Sequence, residues 1–165
     1  MYNKIQSIDT KSIIDEYNHL EKEFVWSDYG QGSRQCGLQF ADGEDPWTSA
    51  VGKTRLTSEN SFNNLNPYFK NTIFEKIIDQ YNLKRTRLMW IGPYKCYSLH
   101  YDLTARIHIP LITDPNCFFV FKNETASSIF HLPAGYTYWV DTTQMHTFIN
   151  CSNTFRLHLV GAIDV

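Results

Sequence analysis

The chain has 165 residues, of which 42% are apolar and 19% charged, and its formal net charge is −2 at pH 7. This length suits one domain with a real hydrophobic core, and the apolar fraction excludes a disordered chain. The charge balance shows no basic excess that would predict a nucleic-acid partner, and no apolar run is long enough to predict a membrane span.

The N-terminal residues and the cysteines indicate in which cellular compartment the protein is expected. The first residues lack the apolar stretch of a signal peptide, so we expect a cytoplasmic protein. The cysteines have neither CxxC pairing nor the spacing of a zinc finger, and we expect free, mostly buried thiols. They are Cys36, Cys96, Cys117 and Cys151.

A first amphipathic helix is predicted from Thr10 to Phe24, where apolar residues recur at helical spacing. Asp9 or Thr10 is placed to cap its first turn. The apolar stripe that we expect to face the core consists of Ile13, Ile14, Tyr17, Leu20 and Phe24.

The segment from Trp26 to Asn64 reads as a long connection. It is rich in Gly, Ser, Asp and Asn, with only short strand-like pieces such as Cys36–Phe40. A connection of this length in a compact domain is often a functional loop or lid. A meandering edge of a sheet is an equally good interpretation, and both remain open at this point.

A second amphipathic helix is predicted from Pro67 to Gln80. Asn66 can cap it, and proline is favoured at the first helical position. Its predicted apolar stripe consists of Phe69, Ile73, Phe74, Ile77 and Ile78.

From Arg85 onward, short apolar or alternating runs follow one another, separated by turn signals such as Gly92-Pro93 and Asp114-Pro115-Asn116. Short, regularly spaced strands are typical of a sandwich or barrel. We therefore expect a mainly β fold, a double-stranded β-helix or jelly roll, with the two N-terminal helices flanking it. In this single domain, residues 85–165 would form the core and residues 1–84 its support.

Polar residues alternate with apolar ones on three of these runs, as Arg-x-His, His-x-Asp and again Arg-x-His. Residues two apart share a face of a strand, so each pair points the same way if the run is extended. These faces either meet solvent or converge inside the barrel, and we favour convergence because the residue types match a known metal chemistry. The pairs are His100 and Asp102, Arg106 and His108, and Arg156 and His158.

A His-x-Asp pair followed much later by one histidine is the sequence form of a facial triad, here His100, Asp102 and His146. Two imidazoles and one carboxylate hold Fe(II) and leave adjacent positions open. A structural zinc site would use more protein ligands, often thiolates, and the cysteine spacing offers none. A catalytic zinc with open coordination stays an alternative.

Arg156 is the best candidate for a cation that binds the far carboxylate of 2-oxoglutarate, the cosubstrate of many such iron enzymes. The planar guanidinium binds a carboxylate in two places. The alternative for Arg156 is a surface ion pair at a strand edge, which would contribute little.

Around these residues the chain resembles the aspartyl/asparaginyl β-hydroxylase family, which includes small proline hydroxylase-like enzymes. The resemblance covers about Gly92 to Val165. The matching motifs are His100; the strand Arg106-Ile-His108-Ile-Pro110-Leu111; the segment from Asp141 through His146 to Asn150; and Arg156.

This resemblance implies a double-stranded β-helix and hydroxylation dependent on Fe(II), 2-oxoglutarate and O₂, with release of succinate and CO₂. It implies His100 and His146 as iron ligands, Arg156 at the distal carboxylate, and Arg106 and His108 near the proximal one. The animal peptidyl members lack the carboxylate ligand, so Asp102 makes this chain more similar to the branch that acts on free amino acids.

The substrate is expected to be an amino acid or an amino-acid side chain, free or in a peptide. We place its contacts at Arg34, Gln35, Trp47 and Tyr97. The rival hypothesis is a non-catalytic, cupin-like module that uses the same polar pocket to bind a small acid or a metal.

Overall fold

The computed structural model describes residues 1–30, 32–52 and 58–163. In these residues it has two α-helices, α1 (Thr10–Leu20) and α2 (Ile73–Tyr81), and short 3-10 helices at Glu21–Glu23, Glu59–Ser61 and Pro67–Phe69. The strands are β1 (Tyr2–Ser7), β2 (Ser27–Asp28), β3 (Ser33–Gly37), β4 (Gln39–Phe40), β5 (Asn64–Leu65), β6 (Lys84–Ile91), β7 (Lys95–Cys96), β8 (Arg106–Ile112), β9 (Cys117–Lys122), β10 (Ser127–Phe130), β11 (Tyr136–Val140), β12 (His146–Asn150) and β13 (Arg156–Ala162).

Two antiparallel sheets form the body of the molecule. The larger has the strand order β1-β11-β8-β13-β6-β3-β2, and the smaller has the order β10-β9-β12-β7. Phe119 and Phe148 of the smaller sheet pack against Ile91 and Tyr138 of the larger one, so the sheets face each other. This is a jelly roll, and the predicted mainly β fold is confirmed.

The outer face of the larger sheet is covered by the two helices. Alternation along the strands sends one set of side chains outward, and these are apolar. They form one buried cluster with the helix stripes. Its members include Ile107, Ile109, Leu111, Leu157 and Leu159 from the sheet and Ile13, Tyr17, Phe74, Ile77 and Ile78 from the helices. Each such side chain contributes roughly 1.5–3 kcal/mol by leaving water. The predicted packing of the helices on the outside is confirmed.

The helix α1 begins where the sequence predicts. The Asp9 carboxylate accepts hydrogen bonds from the amides of Lys11 (3.1 Å) and Ser12 (3.2 Å), which satisfies two free donors of the first turn. The α-helix ends at Leu20, earlier than predicted, and the chain tightens into a 3-10 turn before Phe24 adopts an extended conformation.

The predicted second helix is wrong in its first part. Asn66 caps a 3-10 turn at Pro67–Phe69 by accepting from the Tyr68 amide (3.1 Å). The chain then passes through Asn71 with φ of 64°, a left-handed conformation that an α-helix cannot contain. Thr72 is the N-cap of the separate helix α2. The apolar spacing runs across this break, which is why the sequence predicted one element.

The N-terminal half also contributes strands to the larger sheet. The sequence missed β1, whose residues are all exposed and therefore show no alternation, although it pairs with β11 at one edge. The predicted strand Cys36–Phe40 is divided between β3 and β4, and β3 pairs with β6. A sheet edge is thus the correct interpretation for this part of the Trp26–Asn64 segment, in which residues 31 and 53–57 lie outside the described residues.

The cysteines are free, as predicted, but only Cys36 and Cys117 are buried, while Cys96 and Cys151 are exposed. No helix within the described residues is long and apolar enough to cross a membrane. The cytoplasmic location stays a prediction.

Candidate metal centre

The segment before β8 runs antiparallel to β12 and brings two histidines side by side. The pairing begins with β7, after which the Tyr97 amide donates to the Phe148 carbonyl (3.0 Å). His100 and His146 then exchange both main-chain hydrogen bonds, at 2.9 and 2.7 Å. Their ring centroids lie 4.4 Å apart.

A bulge at Ser98–Leu99 aims His100 into the molecule. From Tyr97 to His100 the segment uses one residue more than the facing stretch of β12, so it is not the regular strand that the sequence predicts. Such bulges re-aim a side chain next to functional sites. Here the Ser98 carbonyl lies 2.7 Å from His100 Nδ1.

Hydrogen bonding fixes the tautomer of both imidazoles. His100 Nδ1 contacts the Ser98 carbonyl, and His146 Nδ1 contacts the Gln144 carbonyl at 2.8 Å. A carbonyl only accepts, so each Nδ1 carries the proton and each Nε2 keeps its lone pair. Burial lowers the pKa of His146, against the opposing effect of the Gln144 carbonyl, and this favours the neutral form that a metal needs.

Asp102 completes the group. Its amide donates to the Thr142 carbonyl (2.8 Å), which holds the chain close to the turn before β12. One ligand atom from each of His100, Asp102 and His146 lies within 4.8 Å of the others. The residues that the sequence predicted as a triad are therefore brought together, although the segment that carries two of them is irregular.

These donors fit the predicted ion. Two imidazoles that present Nε2 and one carboxylate are the facial set that suits Fe(II). Only three protein ligands converge among the described residues, so positions remain for other ligands.

A cavity of about 360 Å³ lies between the two sheets and is lined by all three residues of the triad. This volume is at the lower end of the roughly 300–1,000 Å³ found for small-molecule sites. Apolar walls come from side chains such as Phe119, Phe148 and Val160. The charged side chains of the lining are Glu59, Arg85, Arg87, Asp102, Arg106 and Arg156.

Arg156 lies in this cavity with no carboxylate partner among the described residues. Its guanidinium is 1% exposed, lies 3.8 Å from the centre of the Phe148 ring and donates to His158 Nδ1. Its Nε has no hydrogen-bond partner. Burial lowers the pKa of Arg156 to about 10, which still leaves it charged at neutral pH. The alternative of a surface ion pair is wrong, because this guanidinium is buried and unpaired.

Arg106 is equally buried, but a residue that the sequence did not predict engages both of its terminal nitrogens, and only its Nε has no partner among the described residues. Its two terminal nitrogens donate to the two oxygens of Glu59, both at 2.6 Å, and one lies 3.3 Å from Asp102 Oδ1. Glu59 also accepts from Arg85 (2.7 Å) and from the Thr104 hydroxyl (2.6 Å). Burial raises the pKa of Glu59, but the Arg106 guanidinium outweighs this and the net result is a pKa of about 2.

The remaining predicted residues are divided between the cavity and other places. Tyr97, Gln35 and His108 line the cavity, and His108 Nε2 is buried without a partner. Arg34 instead stacks on the Trp90 ring (4.3 Å), and Trp47 packs beside Phe24 in the buried cluster between the larger sheet and the helices. Neither residue lines the cavity.

The sequence also missed Arg87. A signal was present, because Arg85 and Arg87 are two apart on β6 and share a face in the same way as Arg106 and His108. Glu59 gave no such signal, since it lies in a 3-10 turn of the long connection.

Comparison with known proteins yields one family. The family model of aspartyl/asparaginyl β-hydroxylase matches residues 8–164. No curated protein matches the chain.

Two solved structures have a similar fold at low sequence identity. HygX from Streptomyces hygroscopicus, with nickel and 2-oxoglutarate bound, aligns with a TM-score of 0.59 and 11% identity over 97% of this chain and 81% of HygX. An oxidoreductase of the 2OG-Fe(II) oxygenase family from Burkholderia pseudomallei aligns with a TM-score of 0.56 and 13% identity over 90% of this chain and 76% of that one.

Proposed function

Because the chain belongs to the aspartyl/asparaginyl β-hydroxylase family, we propose that it is an Fe(II)- and 2-oxoglutarate-dependent dioxygenase. It would hydroxylate a C–H bond of an amino acid or an amino-acid side chain. Bound together, Fe(II) and 2-oxoglutarate couple the reduction of O₂ to hydroxylation of the substrate, with release of succinate and CO₂. The observation that carries the proposal is the convergence of His100, Asp102 and His146 within 4.8 Å on a cavity that also holds a buried, unpaired arginine.

The chain's own residues would hold the ion in a defined state. His100 and His146 offer Nε2, because their Nδ1 protons are committed to main-chain carbonyls. These bonds also fix the orientation of the rings. Asp102 supplies the single negative charge, and its contact with Arg106 (3.3 Å) restrains the carboxylate.

Arg156 would bind the distal carboxylate of 2-oxoglutarate. The guanidinium is buried, charged and without an acidic partner among the described residues, so a carboxylate would satisfy it. Phe148 packs on its face and would keep water from that ion pair.

His108 would donate to the proximal carboxylate from Nε2, which is buried and has no partner among the described residues, in the tautomer that carries its proton there. Arg106 was predicted beside the same carboxylate. Because Glu59 already takes both of its terminal nitrogens, we now propose that Arg106 acts through Asp102 as a positioning residue.

The test is an anaerobic titration with Fe(II) and 2-oxoglutarate. We expect a weak visible charge-transfer band in the wild type, its loss in His146→Ala, and succinate release when O₂ and substrate are supplied. His19→Ala, which changes an exposed histidine on α1, is the matched control and should keep the band.

A protein that shows no band and no succinate, yet binds a small acid tightly, would instead be the non-catalytic module. A protein that is active with zinc and insensitive to 2-oxoglutarate would be a zinc enzyme. Either result overturns the proposal.

A further inference from the structure

Arg87 is a second buried cation of the cavity that lacks an acidic partner. It is 6% exposed, and its one hydrogen bond to the described part of the chain is to the Gln35 side-chain oxygen, at 3.2 Å. Its Nε has no partner, and no carboxylate of the described residues lies within ion-pair distance. A buried guanidinium in this state is costly unless a ligand neutralises it.

The charges of the cavity wall are also unbalanced. Four arginines line it, against the carboxylates of Glu59 and Asp102. A ferrous ion and a 2-oxoglutarate dianion carry equal and opposite charges, so loading the proposed cofactors leaves the same surplus of positive charge. A further anion would reduce it, and the substrate is the component still to be added.

Arg87 and Arg156 lie on the paired strands β6 and β13, at different positions along the strand direction. In the register of β6 with β13, Arg87 faces Val160, four residues from Arg156. At roughly 3.3 Å per residue, this separates the two backbone positions by about 13 Å along the strands. Arg87 interacts electrostatically with Arg85, Arg106, Asp102 and Glu59. Asp102 belongs to the triad and lines the same cavity, so Arg87 lies on the metal side of it.

Gln35 holds Arg87 in a fixed orientation. The Gln35 side-chain oxygen accepts from Arg87 Nη1 (3.2 Å) and from the Gly52 amide (3.3 Å), so the amide cannot swing away without losing both bonds. The Arg87 Nε has no partner among the described residues, and a guanidinium binds a carboxylate through two parallel hydrogen bonds.

We propose that Arg87, oriented by Gln35, binds a carboxylate of the substrate. This rests on the proposed function and narrows it: the substrate is a small carboxylic acid, such as a free amino acid, that holds its reacting C–H bond beside the metal. Gln35, predicted as a substrate contact, is then a positioning residue.

The experiment compares acids with their amides by calorimetry. The probes are the free L-amino acids and the corresponding carboxamides, titrated anaerobically into protein that contains Fe(II) and 2-oxoglutarate. We expect at least one acid to bind at least tenfold more tightly than its amide. Arg87→Gln should remove this preference, and Arg87→Lys should restore part of it, while the affinity for 2-oxoglutarate changes less than about threefold.

Arg34→Gln, which changes an arginine outside the cavity, is the matched control and should behave as the wild type. Thermal unfolding identifies a variant that fails to fold. The comparison of acids with amides on the wild-type protein tests the proposal even if a variant does not fold. The proposal is overturned if no acid binds, if acid and amide bind equally, or if Arg87→Gln weakens 2-oxoglutarate instead. Failure of the proposed function is recognised independently, because it would show as absence of the visible charge-transfer band. The calorimetric comparison does not depend on that band.

Discussion

Arg106 and Arg156 lie on neighbouring strands of one sheet, are both 1% exposed, and face the same cavity, yet their surroundings are opposite. Arg106 is clamped by both oxygens of Glu59. Arg156 has an aromatic ring and a histidine beside it and no carboxylate among the described residues. One cation is neutralised by the chain itself, whereas the other has no counter-charge among the described residues.

The difference separates a structural role from a binding role. Breaking a buried ion pair by removing one partner leaves an uncompensated charge, which is strongly destabilising. Removing a cation that has no partner relieves a cost of the ligand-free protein instead. We call the surroundings of Arg106 and Glu59 the Glu59 end of the cavity, and those of Arg156 the Arg156 end. A substitution at the Glu59 end should lower the stability, whereas a substitution of Arg156 should lower the affinity for 2-oxoglutarate.

The strongest test of the comparison is Glu59→Gln. We expect the free energy of unfolding to fall by about 3–5 kcal/mol, because Arg85 would then be buried without a counter-charge and Arg106 would keep only its contact with Asp102 (3.3 Å). Urea unfolding of the metal-free protein measures it. Glu124→Gln, at an exposed acid, is the control. A loss below about 1 kcal/mol, the range of surface pairs, would show that the Glu59 end is not structural.

Arg156→Met tests the other end. The KM for 2-oxoglutarate should rise at least about 30-fold, because the carboxylate would lose a buried cation contributing roughly 2–5 kcal/mol. Without ligand, the Arg156→Met protein should be at least as stable as the wild type. Destabilisation comparable to that of Glu59→Gln would contradict the distinction between the two ends.

The Glu59 ion pairs should be lost in strong acid. The pKa of Glu59 falls from 4.5 to about 2 on folding, so its stabilising contribution is complete above pH 4.5 and is lost as pH falls toward about 2. A shift of this size corresponds to roughly 3 kcal/mol. We expect unfolding free energies measured across this range to show the loss in the wild type and most of it to be missing in Glu59→Gln. Parallel curves for the two proteins would refute the assignment.

Tyr97→Phe should have the smallest effect on stability of these substitutions, and it tests whether the Tyr97 hydroxyl also takes part in binding at the Arg156 end. The Tyr97 hydroxyl is buried close to the Ser33 side chain but makes no well-formed hydrogen bond to the described residues. Its removal should change the free energy of unfolding by less than about 1 kcal/mol. If this hydroxyl donates to bound 2-oxoglutarate, the KM should rise about three- to tenfold, as steady-state kinetics would show. A larger loss of stability would mean that the hydroxyl has a structural partner.

Much of this arrangement was predictable because it is local. The helix stripes and the strands after Arg85 follow apolar periodicity, and His-x-Asp with a distal histidine identified the three converging side chains. Glu59 could not be found in this way, since its partner Arg106 lies 47 residues away and no periodicity connects them. The exposed strand β1 and the bulge at Ser98–Leu99 depend on pairing with distant segments, which a pattern read along the chain does not contain.

The paired backbone of His100 and His146 has a consequence for how the protein would respond to loss of the proposed metal ion. Each residue gives and receives a main-chain hydrogen bond with the other, so the two donor rings stay neighbours whether or not anything is bound between them. Chelation should therefore strip the protein without unfolding it. Adding ferrous salt back to the stripped sample should restore the original state by simple mixing, with no refolding step.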